Sequence, residues 1–160
     1  MENYGKEALY FQHIMHPLMP LQQISDIKLP DFIELYYTIN KDSQLNISRD
    51  ELKTLLLNHD KASASMFILR NLKENQFSVM MKTGIKLTVN FPLNLFSSLG
   101  IWWNKSGYPD EKNHQRSECA LEPISGNSSM LKDAFNEGLA LKVEQETSFS
   151  WRINWIVQKV

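Results

Sequence analysis

Residues 76–91 read QFSVMMKTGIKLTVNF, and the second half of that stretch decides the fold. In IKLTVNF (85–91), Ile85, Leu87, Val89 and Phe91 alternate with Lys86, Thr88 and Asn90. Successive strand side chains point to opposite faces, so one face of this segment meets a core and the other meets water or a partner. QFSVMM (76–81) is a second strand rich in apolar and β-favouring residues. Lys82, Thr83 and Gly84 between the two form a short connection with glycine where a positive φ is suited, which predicts an antiparallel hairpin.

The same punctuation extends outward. Further strands are expected at 32–39 (FIELYYTI), 65–72 (SMFILRNL), 98–103, 118–121, around 140–143, and at 149–157 (FSWRINWIV). The last would set Phe149, Trp151, Ile153 and Trp155 on one face. Helix is the minority. Ser48 and Glu51 ahead of Leu52, Leu55 and Leu56 read as a capping box and a short amphipathic helix ending near Asn58, the alternative being a loop that contains leucines. Ser128 or Ser129 can cap a second helix carrying Met130, Leu131, Ala134 and Phe135, with Gly138 placed to stop it. The expected class is mainly β, an antiparallel β-sandwich with one or two short helices.

The chain has 160 residues, 42% hydrophobic and 22% charged, with six Gly and six Pro, which fits one globular domain over residues 1–160 and excludes fibrous or disordered classes. Seventeen Lys plus Arg against eighteen Asp plus Glu leave a formal charge of −1, so no cationic excess exists to neutralise a row of phosphates, and nucleic acid is not an expected partner. No apolar run approaches the roughly 18 residues of a membrane span. The opening MENYGKEALY lacks the features of a secretory signal, and the lone Cys119 has no internal partner for a disulfide; a cytoplasmic location is expected. Four histidines, His13, His16, His59 and His114, show no metal-ligand spacing, so no metal is expected. No glycine-rich phosphate loop occurs, and Cys119 in a probable strand reads as a buried, inert thiol.

Three segments carry the candidate chemistry: HPL (16–18), followed by ISDIKLP (24–30); GIWWNKSGYPD (100–110); and CALEPISG (119–126). Taken in order, with the stretch 64–91 between the first two, a small helix after the third and a closing strand containing Trp-Arg, they resemble the C-terminal half of the aldose 1-epimerase family, the galactose-mutarotase-like proteins. The likeness runs from about residue 11 to residue 157. It implies part of a large antiparallel β-sandwich and, chemically, interconversion of the α and β anomers of a free hexose without a cofactor. In the family a glutamate in the Glu122 motif is the base and a histidine in the His16 motif is the acid. Trp102, Trp103 and Tyr108 would offer an apolar platform to a sugar ring, and Asn104 a hydrogen bond to its hydroxyls. Lys105, Lys112 and Arg116 lie near the two key turns. Each residue also has a structural alternative: His16 and Glu122 precede prolines and suit bends, and large aromatics usually fill β-sandwich cores.

The family's N-terminal half, with a second histidine and a substrate-gripping arginine, has no counterpart here. Half a sandwich leaves strand edges and an apolar face uncovered, so a homo-oligomer or a partner chain supplying the other half is expected. A carbohydrate-binding protein without catalysis and a scaffold module are the alternative functions.

Overall fold

The structure, a computed structural model, describes residues 1–38, 43–60, 62–109, 116–128 and 130–160. Ile39, Lys112, His114 and Ser129, considered above, lie outside the described residues. In chain order the strands are β1 (Glu2–Asn3), β2 (Leu9–Phe11), β3 (Met19–Pro20), β4 (Ile24–Lys28), β5 (Glu34–Tyr37), β6 (Ser43–Leu45) and β7 (Ser63–Arg70). They continue as β8 (Gln76–Met81), β9 (Ile85–Asn90), β10 (Ser98–Lys105), β11 (Ser117–Ile124), β12 (Leu141–Val143), β13 (Thr147–Ser148) and β14 (Asn154–Lys159). Two helices interrupt them, α1 (Arg49–Leu57) and α2 (Leu131–Asn136). The fold is therefore antiparallel β with two short helices.

Two open sheets make the body. The larger has the order β3-β11-β10-β7-β5-β6 and the smaller β14-β9-β8-β4, with all pairings antiparallel. Their facing sides share one core. Leu35, Phe67, Leu69, Leu99, Ile101, Trp103 and Leu121 enter it from the large sheet, and Ile27, Phe77, Val79 and Val89 from the small one. Leu52 and Leu56 of α1 join the same cluster, the helix packing against β4. Burying a side chain of this size is worth roughly 1.5–3 kcal/mol, so this shared layer is what holds the sheets together. β1 with β13, and β2 with β12, form two small ribbons beside the body.

The central hairpin forms as its pattern dictates. β8 and β9 pair from Gln76 opposite Asn90 to Met80 opposite Lys86, and Gly84 adopts φ 77° with its N–H donating to the Met81 carbonyl. The first helix begins at a complete capping box, in which Ser48 and Glu51 each accept from the other's backbone. The second helix is not capped by a serine as expected: its N-cap is Met130, which makes no side-chain cap bond, the Ser128 hydroxyl accepts from the Met130 N–H one step outside the helix, and Gly138 at φ 71° ends the helical turn.

Three further expectations need correcting. β10 and β11 run beyond Trp103 and Leu121, because Asn104 and Lys105 stay in register with Glu118 and Ser117, and Glu122 to Ile124 with Gly100 to Ser98. Polar side chains did not end these strands, since the ladder is made by the backbone, and Pro123 is tolerated because its backbone groups turn away from β10 to the rim, where only its carbonyl is used. Second, Phe149 and Trp151 do not share a strand with Trp155: they pack on Phe11 beside Leu141 and Val143, and β14 starts only at Asn154. Third, β14 buries no face, since it is the outer strand of the small sheet and every residue of it is exposed. Among the described residues no helix is long and apolar enough to cross a membrane.

Candidate active site

Strand alternation sorts the candidates. On β11, Glu118, Ala120 and Glu122 share the face turned away from the core; across the ladder stand Asn104, Trp102 and Gly100 of β10, then Ala64, Met66 and Ile68 of β7. Glu122 lies opposite Gly100, and that glycine has a steric reason. A Cβ there would stand 3.0 Å from Ile124 Cδ1, 3.1 Å from Met66 Cε and 3.4 Å from Glu122 Cβ, so a side chain would crowd the carboxylate's neighbourhood.

His16 reaches Glu122 along the rim of β11. Pro123 has no N–H but keeps its carbonyl, which accepts from the Met15 N–H at 3.2 Å, and Ile14 bridges Ile124. One step earlier the His13 N–H donates to Ser125 Oγ at 2.8 Å, the Ser125 N–H donates to the His13 carbonyl at 3.0 Å, and Gln12 Nε2 donates to the Ser125 carbonyl at 2.8 Å. This strap from Gln12 to Met15 delivers His16 to the carboxylate, with Nδ1 2.6 Å from Oε1. The histidine side chain is 50% exposed and that of Glu122 5%, so one member of the pair faces solvent and the other is sealed beneath it. Burial pushes the Glu122 pKa up from the usual carboxylate range, and the neighbouring imidazole offsets part of that rise.

A cleft of about 580 Å³ opens beside the pair, lined by His16, Leu18, Trp102, Tyr108, Arg116 and Glu118 among others. That volume is within the usual range for small-molecule sites. Glu122 does not line it; His16, in contact with Glu122, does. Trp102 and Tyr108 meet edge to face, centroids 5.6 Å apart and planes at 90°, forming an aromatic corner on the wall. Tyr108 is well exposed and Trp102 partly so.

The other two predicted binding residues are placed elsewhere. Trp103 points through the sheet into the core with 1% exposure, because adjacent strand residues face opposite ways. Asn104 is fully buried and its amide is spent on the turn. Oδ1 accepts from the N–H groups of Gly107 and Tyr108 at 3.0 Å each, and Nδ2 donates to the Tyr108 carbonyl at 2.6 Å. Asn104 therefore shapes the loop that carries Tyr108 and, fully buried, presents no exposed group to a ligand. Gly107 completes that loop, since a Cβ on it would fall 2.3 Å from the Ser63 carbonyl carbon. Lys105 is also committed, its Nζ donating to the His59 carbonyl at 2.7 Å.

Glu118 and Leu18 were not singled out from the sequence. The signal for Glu118 was present in the period of two that links 118, 120 and 122 once Glu122 is placed on a face. His59 sits between Ser63 and Ser65 hydroxyls, and burial lowers its pKa; His13 is lowered by the same cause and packs edge-on against Phe96 and Trp151. Burial, with Glu118 adding to it, pushes the Cys119 thiol up to about 12, which keeps it protonated at neutral pH. Among the described residues no three His, Cys, Asp or Glu side chains gather as a metal ion would need.

No protein-family model and no curated protein matches the chain. Solved structures do. The Slr1438 protein of Synechocystis is similar with a TM-score of 0.70 at 18% identity, covering 99% of this chain and 48% of that one. A proposed aldose 1-epimerase from Klebsiella pneumoniae is similar with a TM-score of 0.64 at 10% identity, covering 98% of this chain and 40% of that one. A TPR-domain containing protein from Parabacteroides distasonis follows at 0.55 and 10%, with 25% of its length covered. At these identities the likeness shows the fold, an aldose 1-epimerase-like antiparallel architecture. The chain spans about half or less of the length of the structures it matches.

Proposed function

We infer that this chain is a carbohydrate-active protein of the aldose 1-epimerase type, acting on a free hexose through Glu122 and His16. One observation carries the reading: a sealed carboxylate in 2.6 Å contact with a half-exposed imidazole, at the edge of a cleft walled by Trp102 and Tyr108. Anomer exchange needs two proton transfers and no redox change. A base takes the proton from the C1 hydroxyl while an acid gives one to the ring oxygen; the C1–O5 bond breaks, C1 turns, and the reverse transfers reclose the ring. Glu122, made a stronger base by burial, suits the first role once His16, which covers it, swings off toward the cleft it lines, where the imidazole suits the second. No cofactor is required. The aromatic corner would receive the apolar face of the sugar ring.

A binding protein without turnover is the second reading, favoured by the absence of Glu122 from the lining of the cleft. The two are separated by NMR exchange spectroscopy on glucose and galactose, with wild type beside Glu122→Gln at equal concentration. Exchange above the buffer rate, falling about 10²–10⁴-fold in the variant, is expected. Sugar-dependent shifts without exchange, in a folded sample, would replace the enzyme reading by the binding one; neither signal would leave a scaffold.

A further inference from the structure

We propose that β14 is a docking edge through which two copies of this chain join, antiparallel and about a twofold axis at Val157, into one continuous eight-stranded sheet. The edges of the two main sheets differ sharply. β3 has two residues and ends in Pro20, and β6 has three. β4 carries a register shift between Ile24 and Asp26, is covered on one side by α1, and has Asp26 paired to Lys53 at 2.6 Å. These are the devices by which proteins blunt an edge. β14 is neither short, nor shifted, nor covered, and its one charged side chain, Lys159, stands at its end: it pairs β9 without a shift over six residues, and Trp155, Ile156 and Val157 are 44%, 44% and 67% exposed.

The ladder also says which groups are free. The Val160 N–H donates to the Gly84 carbonyl, continuing the β14–β9 register by one pair. Hydrogen-bonding pairs alternate along antiparallel strands, so Gln158, Ile156 and Asn154 turn their backbone groups to β9. Trp155, Val157 and Lys159 then turn theirs outward.

A second copy of the same strand fits those groups in one favourable register. With the axis at Val157, Val157 faces Val157 and each Trp155 faces the other copy's Lys159. All six outward N–H groups meet outward carbonyls, and both Lys159 side chains lie against an indole rather than each other. Axes at Ile156 or Gln158 would pair only four of those six N–H groups within the strand, an axis at Lys159 would oppose two cations, and an axis at Trp155 would leave half the strand unpaired. Trp155 and Val157 share the face of Val89 and Leu87, so the joined strands extend the apolar side of the small sheet. Such a contact is isologous and closes at two copies.

The test is the molar mass of the full chain by light scattering across micromolar concentrations, for wild type, Val157→Pro, Val157→Lys and, as a control on another exposed apolar patch, Leu131→Lys. Val157→Pro removes an outward N–H that the β9 ladder does not use, and Val157→Lys sets two cations on the axis. The expected result is a concentration-dependent doubling of mass in wild type and Leu131→Lys, and a single-chain mass in both Val157 variants with an unchanged circular-dichroism spectrum. Should Val157→Pro unfold, Val157→Lys decides. A wild type that stays at one chain, a Val157→Lys variant that still doubles, or loss of doubling only in Leu131→Lys would overturn the proposal.

Discussion

Trp102 and Trp103 are chain neighbours with unlike fates, and the register of β10 separates them. Trp103 is a core residue, whereas Trp102 stands on the cleft wall. Sequence showed two aromatics ahead of a turn but not which way the first of them pointed, because a one-residue change of register exchanges their faces. The same holds for Asn104, whose amide could have met a ligand and instead holds the turn. Glu122 carries a prediction at this scale. Its folded pKa is raised, so the folded state holds this proton more tightly than the unfolded chain does. The stability it contributes is present in full below the ordinary carboxylate value and is lost as pH rises through the raised one. Thermal melts of Glu122→Gln beside wild type should therefore coincide in acid. Above the raised value the variant should melt higher, while its anomer exchange is lost. Equal melting temperatures at every pH would contradict the buried, ionisable carboxylate.

Elements whose signal is local were legible. The β8–β9 hairpin and the α1 capping box depend on residues within one turn of each other, and both form where the pattern sets them. Replacing Ser48 by Ala removes the acceptor of the Glu51 N–H and should cost about 1 kcal/mol. Because α1 places Leu52 and Leu56 in the shared core, urea unfolding should register that loss as a lower midpoint with an unchanged slope. Elements whose ends are set by distant partners were less legible. β11 continues through Glu122 and Pro123 because Gly100 and Leu99 continue opposite it, and no local feature of the LEP triplet says so. β14 failed in the other direction: its alternation promised a buried face, but nothing in the described structure lies over it.

The sandwich class was readable because alternation recurs in many segments, and the meeting of His16 with Glu122 was expected only through family resemblance. Their contact depends on a terminal segment finding the rim of β11, a pairing no short window encodes. At the scale of the whole molecule, an edge-to-edge pair has a thermodynamic signature. Anything that binds only the folded state raises its apparent stability by mass action, and a second copy is such a ligand. The melting temperature of wild type should climb with protein concentration, whereas that of Val157→Lys should stay level; differential scanning calorimetry over a dilution series measures both.

The strap from Gln12 to Met15 gives the candidate pair an unusual kinetic standing. Its attachments to the rim lie outside the main ladders, so it is expected to open locally at a smaller free-energy cost than the sheet. The sheet that carries Glu122 opens only with the core. Exchange of amide hydrogens would then be fast at Met15 and slow at Leu121, two residues on either side of the candidate pair. If His16 and Glu122 act as the proposed acid and base, the first would stand on the fast side and the second on the slow side, and the pair would be disassembled and rebuilt many times within the lifetime of a single folded molecule.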